Sequence, residues 1–237
     1  MTRRRWIADE VAGDRAALVG EHAAHLSRTL RVQVGQEFEV ACGEVVRQGV
    51  VSSVNEARVE FALGEEVPAS VATPITLLLA VFKFDRMEWA IEKCTELNVT
   101  SIAPVVARRT EKHLALAAER RVERWRRIAR EASEQSRRLA APEIASPVKL
   151  ADALSYDSDL RVVLAENERE AQLVDVLSER TAATSLALAI GPEGGWAPEE
   201  IQMFDKAGWI SASLGATILR AETAAIAALA IARSELG

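Results

Sequence analysis

Residues 75–82 read ITLLLAVF, an unbroken apolar run relieved only by Thr76. A surface helix would leave one flank polar, and a strand in a half-exposed sheet would alternate. A short continuous run fits a strand covered on both faces. Two later stretches have the same character, LRVVLA over 160–165 and SLALAI over 185–190, and 99–106 is a further candidate strand. Helical periodicity fills the spaces between. Residues 85–97 place Met87, Ala90, Ile91, Cys94 and Leu97 on one face, and 119–139 carry a stripe of Val122, Trp125, Ala129, Ala132 and Leu139. Residues 198–207 predict a helix, 209–214 a strand and 221–236 a final helix that is apolar on nearly every side. Parallel neighbours need long crossovers, so this alternation predicts an α/β domain with a parallel sheet and helices on both faces.

The first 70 residues follow another rhythm. A short helix is expected over 14–26, then alternating segments at 31–34, 37–40, 50–51 and 58–61, punctuated by Gly35, Gly43, Gly49 and Asn55. Period-two alternation with regular turn signals predicts a small antiparallel sheet or barrel. Residues 65–74, with Pro68, Ser70 and Pro74, form the best linker, which divides the chain into domains at 1–70 and 74–237. A length of 237 residues, 49% of them hydrophobic, suits that division. Cys42 and Cys94 form no CxxC pair and read as small core hydrophobes in a reducing compartment. The opening MTRRRWIADEVAG has a basic flank with no apolar stretch after it, and no run of 18 apolar residues occurs. A cytoplasmic protein without membrane association is the expectation.

Chemistry concentrates in two turns. Ile190, Gly191, Pro192, Glu193, Gly194 and Gly195 follow a buried strand, where three glycines and a proline permit close approach of a ligand to backbone. Neither GxxxxGK[ST] nor GxGxxG is present, and Glu193 would repel a pyrophosphate, so a cationic or neutral ligand suits the turn better. An ordinary glycine-rich connection is the plain alternative. The second turn, GATILRAETA over 215–224, runs from a strand into the last helix. Glu222 and Thr223 fall in its first turn, where a carboxylate and a hydroxyl are favoured. Arg220 either pairs with Glu222 or presents its guanidinium beside the glycine-rich loop. His22, His25 and His113 lack metal-ligand company, so no metal is expected.

The formal charge is −6, yet it is unevenly spread. Residues 108–138 hold 11 basic and 5 acidic side chains, a net of +6, whereas 151–205 hold 3 basic and 12 acidic, a net of −9. The basic stretch exceeds what opposite-sign pairing needs and predicts phosphate contact, extended by Lys83, Arg86, Arg108 and Arg109.

GPEGG followed by LGATILRAETA resembles the bacterial enzymes that methylate N3 of a uridine in small-subunit ribosomal RNA, members of the knotted α/β (SPOUT) methyltransferases. KFDRME over 83–88, IEKCTEL over 91–97 and EASEQSRR over 131–138 extend the likeness, as do residues 3–7 and Leu30-Arg31. Two departures stand out: Asn98 replaces a usual Gly, and Trp196 stands where Phe is common. Asn tolerates a left-handed backbone. The resemblance implies a PUA-like RNA-binding β-barrel followed by a trefoil-knotted parallel-sheet domain, acting as a homodimer on ribosomal RNA or the small ribosomal subunit. It implies S-adenosylmethionine in three loops: Ala165 and Glu166; Ile190 to Gly195; and Leu214, Gly215, Ile218, Leu219 and Thr223. Losing the N3 proton of a uridine leaves negative charge on its carbonyl oxygens, which makes Arg220 the candidate electrostatic stabiliser, while the base stays open among Glu193, Glu222 and solvent. The implied RNA contacts are Arg3, Arg31, Lys83, Arg86, Arg108, Arg109, Arg137 and Arg138. Two readings compete: a knotted methyltransferase acting on a ribose hydroxyl or another base, and a non-catalytic RNA-binding assembly factor.

Overall fold

A computed structural model describes residues 5–43, 45–67 and 72–237, so Arg3, Pro68 and Ser70 lie outside the described residues. The chain forms two compact units, Met1–Val71 with Arg130–Ala141, and Ala72–Ala129 with Pro142–Gly237.

In the first unit, β1 (Arg5–Ile7), β2 (Glu10–Ala12), β3 (Arg15–Val19), β4 (Glu37–Cys42), β5 (Val45–Val54) and β6 (Arg58–Val67) make one sheet ordered β1-β4-β5-β6-β3-β2. Every pairing is antiparallel except β1 with β4. Trp6, Leu18, Val40, Val51, Val59 and Phe61 form its core, with Phe38 edge-on to Trp6 and Phe61. The expected helix over 14–26 forms only in its second half, and Arg15–Val19 is a strand. Gly13 and Gly20, both at positive φ, turn the chain at either end of Arg15–Val19, and pairing to β2 and β6 overrides the helix preference of Ala and Leu. Only α1 (Glu21–Ala24) and a π turn at His25–Thr29 are helical. The expected strand at 31–34 is irregular, opening with Arg31 at φ 51° and running into a turn at 34–35. The segment Arg130–Ala141 is tied in by side chains. Arg130 Nη2 reaches Asp9 at 2.6 Å, and Asp9 also accepts from Val19 N at 2.9 Å. Arg5 donates to Glu39 and to the carbonyl of Arg137.

The second unit runs β7 (Ile75–Ala80), α2 (Phe84–Glu96), β8 (Ser101–Val106), α3 (Lys112–Ala117), α4 (Val122–Gln135, to Ala129 in this unit), β9 (Glu143–Ile144), β10 (Val148–Lys149) and α5 (Leu150–Ala153). It continues through β11 (Leu160–Leu164), α6 (Leu173–Ser178), β12 (Leu186–Ile190), α7 (Pro198–Lys206), β13 (Ile210–Ala212) and α8 (Ala221–Leu236). The sheet order is β10-β8-β7-β12-β11-β13, with β9 beside β8, and every pairing is parallel. Alternate residues of the apolar runs enter opposite cores, as two-sided burial requires. Leu77, Leu79, Leu186 and Leu188 pack with α2 and α8 residues, and Leu78, Ala80, Ala187 and Ala189 pack with Trp196, Phe204 and Trp209. The small alanines make room for that aromatic stack, whose rings meet edge-on at 5.0 and 5.2 Å.

The expected helix over 119–139 is shorter and broken. Residues Ala118–Arg121 form a 3₁₀ turn ahead of α4, and Arg137 at φ 61° follows its end. Asn98, just past α2, adopts φ 65°, the left-handed cap that its amide tolerates. The final helix is not buried all round within one chain. Ala221, Glu222, Ala225, Ala228, Leu229 and Ala232 are buried, while Ile226, Ala227 and Ile231 are half-buried and Ala230 is exposed.

Candidate functional site

Strand order decides where a site can form. From β7 the chain steps one way to β8 and β10, and the other way to β12, β11 and β13. Ligands of open α/β sheets sit outside the carboxyl ends at such reversals. The connections after β11, β12 and β13 close around a cavity of about 870 Å³ at the carboxyl ends of the strands on one side of that reversal. Its lining includes Ala165 and Glu166 from the first, Ile190, Gly191, Pro192, Glu193 and Gly195 from the second, and Leu214, Gly215, Ile218 and Leu219 from the third. The three loops singled out in the sequence thus meet in one cavity. Gly194, Arg220, Glu222 and Thr223 are not among its lining residues.

Two glycines of the glycine-rich loop have close neighbours, and one of them also has a left-handed backbone. A Cβ on Gly191 would come within 3.3 Å of Trp196, and one on Gly195 within 3.3 Å of the Glu166 carboxyl, with Gly195 at φ +68°. Such a cradle lets a ligand approach bare backbone. Gly194 is looser, because a Cβ there would meet only the Arg109 side chain, at 3.4 Å. Sequence reasoning passed over Glu168, Arg169, Gln172, Trp196, Gln202 and Ser213, which also line the cavity. Gln172 and Ser213 come together through a parallel bridge that prolongs the sheet, and no local pattern announces that. Glu168 shapes its own loop. It accepts from the backbone N–H groups of Glu170 and Ala171, which hold its carboxyl below the usual carboxylate range.

Arg220 caps α8, exposed, with no ion pair among the described residues. Of its two readings, the pairing with Glu222 is not formed among the described residues. Glu222 is buried, 4% exposed, and faces Arg86 instead, with Oε1 3.8 Å from Nε, while its Oε2 has no hydrogen-bond partner. Arg86 lies 3.7 Å from Glu193 as well, so it stands between a carboxylate of the glycine-rich loop and one of α8. Arg109 lines the cavity and donates to the carbonyls of Gly194 and Trp196.

The remaining expected RNA contacts fall in both units. In the second, Lys83 is exposed at the start of α2, and Arg108 is exposed beside Glu199 at 3.3 Å. In the first, Arg31 is exposed, Arg137 lies 4.0 Å from Glu39, and Arg138 donates to the carbonyl of Ala140. Much of the basic stretch has internal partners. Arg124 forks onto Glu88, Arg121 covers the Phe84 ring, and Arg126 bonds Glu123 and the Ile144 carbonyl. Arg120 and Arg127 are exposed and form no ion pair among the described residues. No group of three or more potential metal ligands occurs among those residues, and no helix there is long and apolar enough to cross a membrane.

Comparison with known proteins agrees with this geometry. Residues 69–233 match the family model described as an RNA methyltransferase domain. The chain is 31% identical over 210 residues to the ribosomal RNA small subunit methyltransferase E of Synechocystis sp., covering 87% of this chain and 68% of that one. The protein of that name from Rickettsia conorii is 30% identical over 223 residues, covering 91% and 88%. The crystal structure of a ribosomal RNA small subunit methyltransferase E from Neisseria gonorrhoeae, bound to S-adenosyl methionine, matches with a TM-score of 0.85 at 28% identity, over 96% of this chain and 95% of that one. With likeness of this extent over both units, and the cavity formed by the three loops that carry the sequence motifs, the chain belongs to the ribosomal RNA small subunit methyltransferase E family.

Proposed function

We propose that the protein methylates N3 of a uridine in 16S ribosomal RNA of the small ribosomal subunit, with S-adenosylmethionine bound in the cavity beyond β11, β12 and β13. The observation that carries this reading is the cradle at Gly191 and Gly195, where an added Cβ would crowd Trp196 and Glu166 and, at Gly195, meet a left-handed backbone. The donor set fits that cofactor. Backbone groups of the glycine-rich loop are approachable, and Glu166 and Glu193 offer carboxylates to hydroxyl, amino and cationic groups but would repel a phosphate chain. When bound, S-adenosylmethionine supplies an electrophilic methyl group.

The rest of the work is positioning and electrostatics. Uridine N3 carries a weakly acidic proton, and its loss places negative charge on the two flanking carbonyl oxygens. Arg220, exposed and without an ion pair among the described residues, is the group we assign to meet that charge. A guanidinium stays protonated, so it stabilises the anion without acting as base. Glu222 faces Arg86 and holds the start of α8, which argues for support of the loop rather than contact with the base.

The finer architecture belongs to the same proposal. The six-stranded sheet with its own core supports a PUA-like RNA-binding domain, and three loops crowded on one cavity support a trefoil-knotted path. The half-buried Ile226, Ala227 and Ile231 of α8 support a homodimer. Light scattering at micromolar concentration should return twice the chain mass, and a monomer would end that part. A ribosomal RNA substrate supports a cytoplasmic location. Calorimetric titration with S-adenosylmethionine, joined to mapping of methylated nucleotides in RNA from a deletion strain, tests the whole. Cofactor binding and the loss of one N3-methyluridine are expected. A missing ribose methyl would favour the sister activity, and no cofactor binding would favour a non-catalytic assembly factor.

A further inference from the structure

The glycine-rich loop is held from a strand that is not its neighbour. The sheet places β7 between β8 and β12, yet the turn after β8 and the loop after β12 are joined by polar bonds at both backbone groups. Arg109 Nη1 donates to the carbonyl of Gly194 at 2.5 Å and of Trp196 at 3.3 Å, its stem lying along Gly194. Glu200, in the first turn of α7 and 6% exposed, accepts from Ala197 N at 2.8 Å and, with its other oxygen, from Arg108 N at 2.7 Å. Thr110 fixes the turn itself, donating to the Val81 carbonyl at 3.0 Å and accepting from Ala107 N at 3.2 Å. A carboxylate is buried at a heavy cost unless its oxygens are bonded, and both of these are.

Glycine-rich backbone is the loosest kind, and a ligand that must order it loses affinity in doing so. We infer that Arg109 and Glu200 are positioning residues of the cofactor site: together they pre-order residues 191–197, Arg109 through the loop's carbonyls and Glu200 through the amide at its end. This rests on the cavity being the S-adenosylmethionine site. It also reassigns Arg109, since the guanidinium expected to touch phosphate is engaged by loop carbonyls.

Four variants test it: Arg109→Ala, Arg109→Lys, Glu200→Gln and Glu200→Ala. Each is measured for S-adenosylmethionine affinity by calorimetry, RNA affinity without cofactor, amide exchange over 191–197, and melting temperature. Losing charge-assisted bonds of this kind should weaken cofactor binding about 10- to 100-fold in Arg109→Ala. Exchange over 191–197 should quicken, and RNA affinity should stay within about twofold. Arg109→Lys should recover only part, because an ammonium can donate to both carbonyls as Nη1 does but stands on a stem one bond shorter. Glu200→Gln keeps one acceptor and should fall between wild type and Glu200→Ala. If Glu200→Ala does not fold, Glu200→Gln and the two Arg109 variants still decide. Unchanged cofactor affinity and exchange, with weakened RNA binding in Arg109→Ala, would overturn the inference and restore a phosphate contact. Wild-type protein that binds no S-adenosylmethionine would instead sink the cofactor reading, while exchange over 191–197 would still report whether the clasp orders the loop.

Discussion

Arg220 and Glu222 stand two residues apart at the start of α8, yet the structure separates their roles. Arg220 is exposed, whereas Glu222 is buried against Arg86 with one oxygen unbonded. Arg220→Ala should therefore cut the methylation rate roughly 100- to 1,000-fold, the scale of removing one oxyanion donor, with cofactor affinity and melting temperature nearly unchanged. Glu222→Ala should shift Arg86 wholly onto Glu193 and change the order of the glycine-rich loop without lowering the melting temperature, because a buried carboxylate with one unbonded oxygen is costly to keep. Rates, affinities and melting curves of the two variants check both, and a normal rate in Arg220→Ala would retire its catalytic role. Within the loop, the constraint falls on Gly195 rather than Gly194. Gly195→Ala meets Glu166 and a left-handed backbone worth about 1–2 kcal/mol against it, so its cofactor affinity should fall well below that of Gly194→Ala. Equal affinities by calorimetry would refute the cradle.

Helix α2 shows what an element-level pattern does and does not disclose. Its stripe of Met87, Ala90, Ile91 and Cys94 is buried as the spacing implies. Burial pushes the Cys94 thiol up to about 12, against about 8.5 for an unfolded thiol. A raised acid favours the folded state while the thiol stays neutral. That contribution is complete below the unfolded value and is lost as pH climbs toward the folded one. The melting temperature should therefore fall more steeply between about pH 9 and about pH 11 in wild type than in Cys94→Ala. Parallel curves would show that the thiol is not buried. The apolar runs at 75–82, 160–165 and 185–190 were legible because two-sided burial leaves no polar position to misread. The 15–19 segment was not, because its alanines and leucine favour helix and only β2 and β6, distant in sequence, make it a strand. The site was legible by the same logic. Glycines at 191 and 195 declare a local need, whereas the Arg86–Glu222 contact and the Arg109–Gly194 bond depend on strand order that no spacing encodes.

At the scale of the molecule, an acidic chain has to bind an acidic polymer. A net charge of −6 would slow that encounter if it were uniform, but residues 108–138 carry +6 of their own. Part of this charge is committed inside the protein: Arg124 to Glu88, Arg126 to Glu123, Arg130 to Asp9 and Arg109 to loop carbonyls. Arg120 and Arg127 remain exposed without an ion pair among the described residues, and Arg31 and Lys83 are exposed too. If about four to six phosphates are neutralised by such groups, log affinity for RNA should fall against log salt with a slope near −4 to −5. The internally committed arginines predict an asymmetry within that slope. Charge reversal at Arg120 and Arg127 should flatten it and weaken RNA binding without changing cofactor affinity. Reversal at Arg124 should instead lower the melting temperature, because Glu88 then faces a like charge. Filter binding across a salt series, with melting curves alongside, reads both effects. A flat salt response in wild type would mean that the basic stretch serves the fold alone and that RNA is held elsewhere.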